Sequence, residues 1–269
     1  MDNDVVAAYL ARIGASAAEP TEAALHELCE RHARTVPFEN LSVHLGEPVT
    51  LTEDALVDKI VRRRRGGFCY ELNGLFAELL VALGYRVTRM AARVFQDGLV
   101  VGPPFDHLTL RVDLDEPWLV DVGFGRHAIY PLRLNEPGDQ LDPAGRFQLR
   151  PHGSAGDLDL LRDGTRAYRI EDRPRSLADF RATCWYQQTS PDSMFTRILI
   201  CSLPVDSGRV TLYGQLLIRT NGDDRTEEHL TESDTLTAYR EIFGIELDRL
   251  PRLPVNGTRP GAPAPTART

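Results

Sequence analysis

The chain has 269 residues, 42% apolar, 26% charged and 7% aromatic, a globular balance with enough material for roughly one to three compact units. Thirty-one basic against 39 acidic residues leave a formal charge of −8, which excludes a non-specific nucleic-acid binder. No stretch reaches the ~18–20 apolar residues of a membrane span, and the start, MDNDVVAAYL, is acidic where a secretory signal is basic, so a cytoplasmic protein is expected.

The first 85 residues read as helical. Asn3 is placed to cap a helix carrying Val6, Tyr9, Leu10 and Ile13 on one face and stopping near Gly14. Thr21 caps a second helix, with Leu25, Leu28 and Cys29 inward, up to the turn at Pro37. Thr52 caps a third, which carries Leu56 and Ile60 and ends in the basic run Arg62 to Arg65; Arg62 to Arg64 read as a solvated helix end. In the fourth, Leu72, Leu75, Phe76, Leu79, Leu80 and Leu83 follow the helical period without a miss, and Gly84 ends it. From Tyr85 the segments RVTRMAARVF, FDHLTLRV, WLVDVGF and FQLRPH are short, β-rich and separated by turns, as in an antiparallel barrel or meander. Residues 176–200 look helical, then form a loop at Ser190-Pro191; strands return over 197–219, and 231–247 reads as a last helix. The Pro-, Gly- and Ala-rich tail from Pro251 is expected to be disordered.

Three places could carry chemistry. Cys69 lies three residues before Leu72, in the first turn of the fourth helix on its inward face, where the helix N-terminus favours a thiolate. Gly66 and Gly67 before it would let the backbone turn sharply and leave room for a substrate. Taken alone, a cysteine is more often a small buried hydrophobe, which is the reading for Cys29, Cys184 and Cys201. Strand alternation puts His107, Thr109 and Arg111 on one face of FDHLTLRV, and a hairpin closing around Leu114 would set His107 opposite Asp121. A carboxylate beside an imidazole fixes its tautomer and supports the imidazolium that a thiolate partner needs. The third place, GFGRHA at 123–128, fits a loose dinucleotide pattern but lacks the helix that pattern requires, so a Rossmann site is rejected. No metal-ligand spacing is present.

PFENLSV (37–43), RGGFCYELN (65–73), the DHLTL around His107 and LVDVGFG (119–125) closely resemble the arylamine N-acetyltransferase family, in the same order and at similar spacings. The resemblance covers roughly residues 1–245 and implies an α+β fold with a cysteine-protease-like core. A helical domain at 1–85 would carry the nucleophile and an antiparallel β-barrel domain at 86–185 the histidine and aspartate. A connecting segment and α/β lid would follow at 186–250, and a disordered tail at 251–269. It implies a catalytic triad of Cys69, His107 and Asp121, a structural ion pair between Glu39 and Arg65, and an acceptor pocket lined by Phe38, Phe124 and Phe195. Cofactor contacts would fall at Thr109, Gly123 and Gly125. The implied reaction is ping-pong acetylation of arylamines, arylhydrazines or hydrazides through an acetyl-cysteine, a chemistry of xenobiotic metabolism. Acetyl-CoA is then the co-substrate, with no metal, no prosthetic group, no nucleic-acid partner and no membrane. Three alternatives share these residues: an amide synthase closing a macrolactam from a carrier-bound polyketide thioester, a papain- or transglutaminase-like thiol hydrolase, and a catalytically silent binding protein.

Overall fold

The computed structural model describes residues 1–96, 99–206 and 208–253. The chain opens with α1 (Asn3–Ile13), capped by Asp2, whose Oδ1 accepts the Val5 N–H at 2.8 Å; the cap falls one residue before the Asn3 expected. Helix α2 (Glu22–Thr35) is capped by Thr21, as its sequence indicates. A two-residue strand β1 (Phe38–Glu39), α3 (Leu41–Leu45) and α4 (Glu53–Leu56) follow. Helix α4 runs into a π-helical turn, Val57–Arg62. Arg62 at its end and Arg63 and Arg64 beyond it are exposed, whereas Lys59 and Arg65 are buried.

Helix α5 (Cys69–Ala82) is the centre of the molecule. Every residue from Cys69 to Ala77 is buried, because α1 and α4 pack on it from one side and strands from the other. A helix enclosed on all sides tolerates the apolar series read from the sequence, but any polar residue on it must then find a partner. It ends at Gly84, whose φ of 92° lets Tyr85 N–H reach back to Leu80 O at 3.0 Å.

The second part is strand-built: β2 (Arg86–Gln96), β3 (Val100–Val101), β4 (His107–Asp113), β5 (Pro117–Val120), β6 (Leu132–Arg133), β7 (Gln140–Asp142), β8 (Gly145–His152), β9 (Asp157–Arg162) and β10 (Thr165–Arg175). These run antiparallel in the order β6-β5-β4-β2-β10-β9-β8-β7, with β3 against the end of β2. The two outermost strands meet through one side chain: Gln140 accepts the Arg133 N–H at 2.7 Å and donates to Arg133 O at 2.9 Å, standing in for a backbone ladder. The sheet is thus a nearly closed barrel, filled by Met90, Leu119, Phe147, Leu160, Tyr168 and their neighbours. Its other face, with Leu108, Leu110 and Val112, completes the helical core.

A single turn (Leu177–Phe180), α6 (Arg181–Thr189) and α7 (Met194–Arg197) lead to β11 (Ile200–Val205), β12 (Gly208–Tyr213), β13 (Leu216–Asn221), β14 (Asp224–His229) and α8 (Glu232–Phe243). A domain boundary after residue 185 would cut α6, which continues to Thr189. The second sheet has the order β1-β11-β12-β13-β14, so its first strand comes from the helical part of the chain. Cys201, Leu203, Val210, Leu212 and Leu217 form one apolar face under α8. The tail starts later than its composition suggests: Pro251 is buried and Arg252 N–H donates to His44 O at 3.3 Å. Residues 254–269, the rest of that expected disordered segment, lie outside the described residues. The helical start, antiparallel barrel and α/β end give the α+β class expected. Among the described residues no helix is long and apolar enough to cross a membrane.

Candidate active site

Cys69 occupies the first turn of α5, and the two glycines before it are there for closeness, not for turning. Neither has a positive φ. A Cβ on Gly66 would stand 1.9 Å from Pro37 O, and one on Gly67 would stand 2.7 Å from a Glu71 oxygen. The segment is pressed against residues 37–39, with Glu39 N–H donating to Gly67 O at 2.9 Å. The Glu71 carboxylate accepts the Phe68 N–H at 3.2 Å, which fixes the turn that presents the sulfur. Burial pushes the Cys69 thiol well above its ordinary value; the Leu108 N–H, donating to the sulfur, opposes this, and the charges of Asp121 and Asp106 add to it. The helix N-terminus by itself therefore does not hold a thiolate here.

His107 opens β4 and Asp121 follows the end of β5. The hairpin register differs from the one expected by two residues: Leu110 pairs with Val120 and Asp113 with Pro117, which aligns Asp121 with Thr109 and not with His107. A slip of two keeps both side chains on one face, and the diagonal is spanned by a hydrogen bond of 2.6 Å from His107 Nε2 to Asp121 Oδ2. Asp121 is buried and fully partnered. Oδ1 accepts from Asn73 Nδ2 at 2.8 Å and from the Gly123 N–H at 3.0 Å, and Oδ2 also accepts from the Tyr168 hydroxyl at 2.8 Å. Burial disfavours its charge, yet the histidines 107 and 127 and these donors outweigh it and hold the carboxyl well below the usual range.

Cys69 and His107 line one cavity of about 490 Å³, walled by Phe38, Phe124 and Phe195. Phe195 stacks on Phe68 with centroids 5.0 Å apart, and Phe124 meets the His107 ring edge-on at 5.0 Å. Asp106 also faces this space, its carboxyl raised by burial and bonded to Gln187 Nε2 at 2.7 Å. A buried nucleophile, an imidazole oriented by a carboxylate and an apolar wall can together carry acyl transfer from a thioester.

The profile of the N-acetyltransferase family matches residues 22–251. Curated relatives include the pineal gland arylamine N-acetyltransferase isozyme NAT-3 of Gallus gallus, 34% identical with 93% of this chain and 97% of the relative covered. The arylamine N-acetyltransferase of Mycobacterium tuberculosis is 37% identical, with 89% of each chain covered. Among solved structures, the arylamine N-acetyl transferase of M. smegmatis superposes with a TM-score of 0.84 at 34% identity, covering 92% of this chain and 93% of that one. The Mycobacterium marinum enzyme in complex with CoA gives a TM-score of 0.81 at 34% identity, covering 89% and 92%. The chain belongs to the arylamine N-acetyltransferase family.

Three residues that the sequence reading passed over complete the site of this arylamine N-acetyltransferase family member. Asn73, one helical turn after Cys69, uses every polar atom it has: Nδ2 donates to Leu108 O at 2.7 Å as well as to Asp121, and Oδ1 accepts the Val122 N–H at 2.9 Å. Its position, a polar residue at i+4 on the inward face of an apolar helix, was a readable signal. Tyr168 and His127 come from distant parts of the barrel, their Oη and Nε2 2.8 Å apart, and no local pattern announces them. Of the contacts expected, Gly123 lines the cavity, and a Cβ there would stand 2.8 Å from Cys69 Cα. Gly125 lies beside Phe38 in a small adjoining recess. Thr109 does not face the cavity. It is fully buried and its hydroxyl donates to Val120 O at 3.2 Å; the observed register sets it, and not His107, level with Asp121, and the side chain is withheld from a cofactor.

Glu39 and Arg65 form an ion pair at 3.0 Å, inside a larger buried group. Lys59, the only lysine, sits 2.6 Å from Glu71 and 3.9 Å from Glu39. Burial works against the Glu39 charge, but two cations hold it low; Glu71, with one close cation and Glu39 as a neighbour, is raised by burial. Among the described residues no group of three or more His, Cys, Asp or Glu side chains is placed to hold a metal ion.

Proposed function

We propose that this protein acetylates arylamines, arylhydrazines or hydrazides from acetyl-CoA by a two-step covalent route, with Cys69, His107 and Asp121 as the catalytic triad. The observation that carries this reading is the apolar cavity in which Cys69 and a His107 bonded to Asp121 face the same space. An isolated thiolate is disfavoured by burial at this position, so the reactive form is an ion pair in which the Cys69 proton has moved to His107. Asp121 stabilises the imidazolium directly. The thiolate attacks the thioester carbonyl, the CoA sulfur leaves and takes the proton from His107, and acetyl-Cys69 remains. The amine nitrogen then attacks this thioester and gives a proton to His107 as Cys69 departs. Phe38, Phe124 and Phe195 would bind the aromatic acceptor and keep water from competing. Gly123, packed on Cys69, leaves the sulfur uncovered for the donor. We place the reaction in the cytoplasm, where thiols are kept reduced.

The test is incubation with acetyl-CoA alone followed by intact-mass and peptide mass spectrometry. One acetyl group on Cys69, discharged by an arylamine or hydrazide, is the expected result. A ternary-complex rate law without an adduct contradicts it, and hydrolysis of the adduct at the same rate with and without amine indicates a hydrolase.

A further inference from the structure

The protein carries a net charge of −8, yet four arginines, Arg126, Arg162, Arg209 and Arg225, come together where the barrel meets the polar face of the second sheet. Arg126 follows Gly125 in the segment between β5 and β6, and Arg162 ends β9, its Nη1 donating to Arg126 O at 3.4 Å. From the other side, Arg209 of β12 pairs in register with Thr220 of β13, and Thr220 with Arg225 of β14. Both arginines therefore stand in one cross-strand row, on the face opposite the apolar one under α8. Arg209 lines the small recess that shares Phe38 and Phe124 with the main cavity.

These charges are poorly neutralised. Arg162 and Arg225 have carboxylate neighbours, Asp163 at 3.5 Å and Glu227 at 2.6 Å. Among the described residues Arg126 has no ion pair, and Arg209 has only a hydrogen bond to Ser202 Oγ at 3.0 Å. The Arg126 residue is exposed, but partial enclosure of its guanidinium, then repulsion from Arg162 and Arg225, lowers it; burial, then Arg126 and Arg162, lowers Arg209 to about 10. Guanidinium groups held together against their mutual repulsion form a site for a multiply charged anion, and their planar forks suit phosphate oxygens. Local focusing of this kind lets an acidic protein attract an anionic ligand.

We propose that this four-arginine cleft binds the phosphate end of the acyl-CoA donor, leaving its thioester arm to pass Phe38 and Phe124 towards Cys69. The proposal rests on the acyl-CoA reading above.

The test uses the full-length protein and the double variant Arg126→Ala/Arg225→Ala, both positions being exposed. Formation of acetyl-Cys69 is measured with acetyl-CoA and with S-acetylpantetheine, which has the same thioester arm and no phosphate. The ratio of kcat/KM for the two donors should fall at least about tenfold in the variant, the loss expected for charge-assisted phosphate contacts. An unchanged ratio overturns the proposal, whether both donors are slowed equally or neither is. Calorimetric titration with adenosine 3′,5′-bisphosphate judges the cleft independently of chemistry. Binding to the wild type that weakens in the variant supports the site, and no binding to the wild type overturns it. If neither donor acetylates wild-type Cys69 while the bisphosphate still binds, the transferase reading fails and the anion site stands.

Discussion

Two buried charge networks flank Cys69 within the first turns of α5, and they differ in one respect that separates chemistry from scaffold. Beneath the helix start, Glu39 and Glu71 face Lys59 and Arg65, two buried anions against two buried cations, with half-exposed Glu47 reaching Arg65 at 3.3 Å from the rim, and none of the four buried groups lines the cavity. Beside the helix, Asp121 is a single carboxylate bonded to Asn73, Gly123, Tyr168 and His107, with His127 3.9 Å away, and these partners are neutral unless a histidine gains a proton. A balanced group has nothing further to attract. On the proposed mechanism, an unbalanced carboxylate held ionised behind His107 draws a proton onto that imidazole, and the proton is available from the thiol. Balance fixes the turn that presents Cys69; on the proposed mechanism, imbalance activates it.

The largest expected effect removes the group that both networks serve. Cys69→Ala should lower acyl transfer by roughly 10³-fold or more, while the thermal midpoint stays close to wild type because the sulfur faces a cavity. Unbalancing the scaffold comes next. Lys59→Met should cost about 3–5 kcal/mol in urea unfolding, since it leaves two buried carboxylates with one cation between them. Adding Glu71→Gln should recover part of that loss; a double variant no better than the single would show that charge balance is not what Lys59 supplies. Asn73→Ala removes a donor from Asp121 without touching charge. It should lower kcat about 10- to 100-fold with KM little changed, as for loss of an interaction that orients the base. The smallest effect should come from a site remote from both networks: Gln140→Ala opens the barrel seam, and it should cost about 1–2 kcal/mol of stability with kcat retained.

The parts of this arrangement that repeat along the chain were legible in its residues. The leucine series of α5, the Thr21 cap and the alternation that put His107 and Asp121 on one face all rest on local periods. What failed to show depends on closure over long distances. Strand β1 is two residues long and pairs with β11 about 160 residues later, as Phe38 with Ser202, so no local pattern marks it. Turn length set the register of β4 with β5, and a two-residue slip conserves the face, which is why the dyad could be read while the place of Thr109 could not. Lys59 sat in a segment whose end is basic and exposed; only its carboxylate partners, one of them 20 residues earlier, distinguish it from Arg62, Arg63 and Arg64.

The claim that Asp121 activates Cys69 through His107 is tested most directly by the pH dependence of Cys69 alkylation by iodoacetamide, in wild type and in Asp121→Asn. Asp121 acts in two senses: its charge disfavours the thiolate through space, and it stabilises the imidazolium through a 2.6 Å hydrogen bond. The direct bond outweighs the longer-range repulsion. Wild type should therefore alkylate at a nearly constant rate from about pH 6 upward, as a thiolate–imidazolium pair does. In Asp121→Asn the pair loses its support and burial governs the thiol, so the rate at pH 6 should fall sharply and then climb about tenfold per pH unit. Equal profiles for the two proteins would contradict the account and leave Asp121 a buried structural residue.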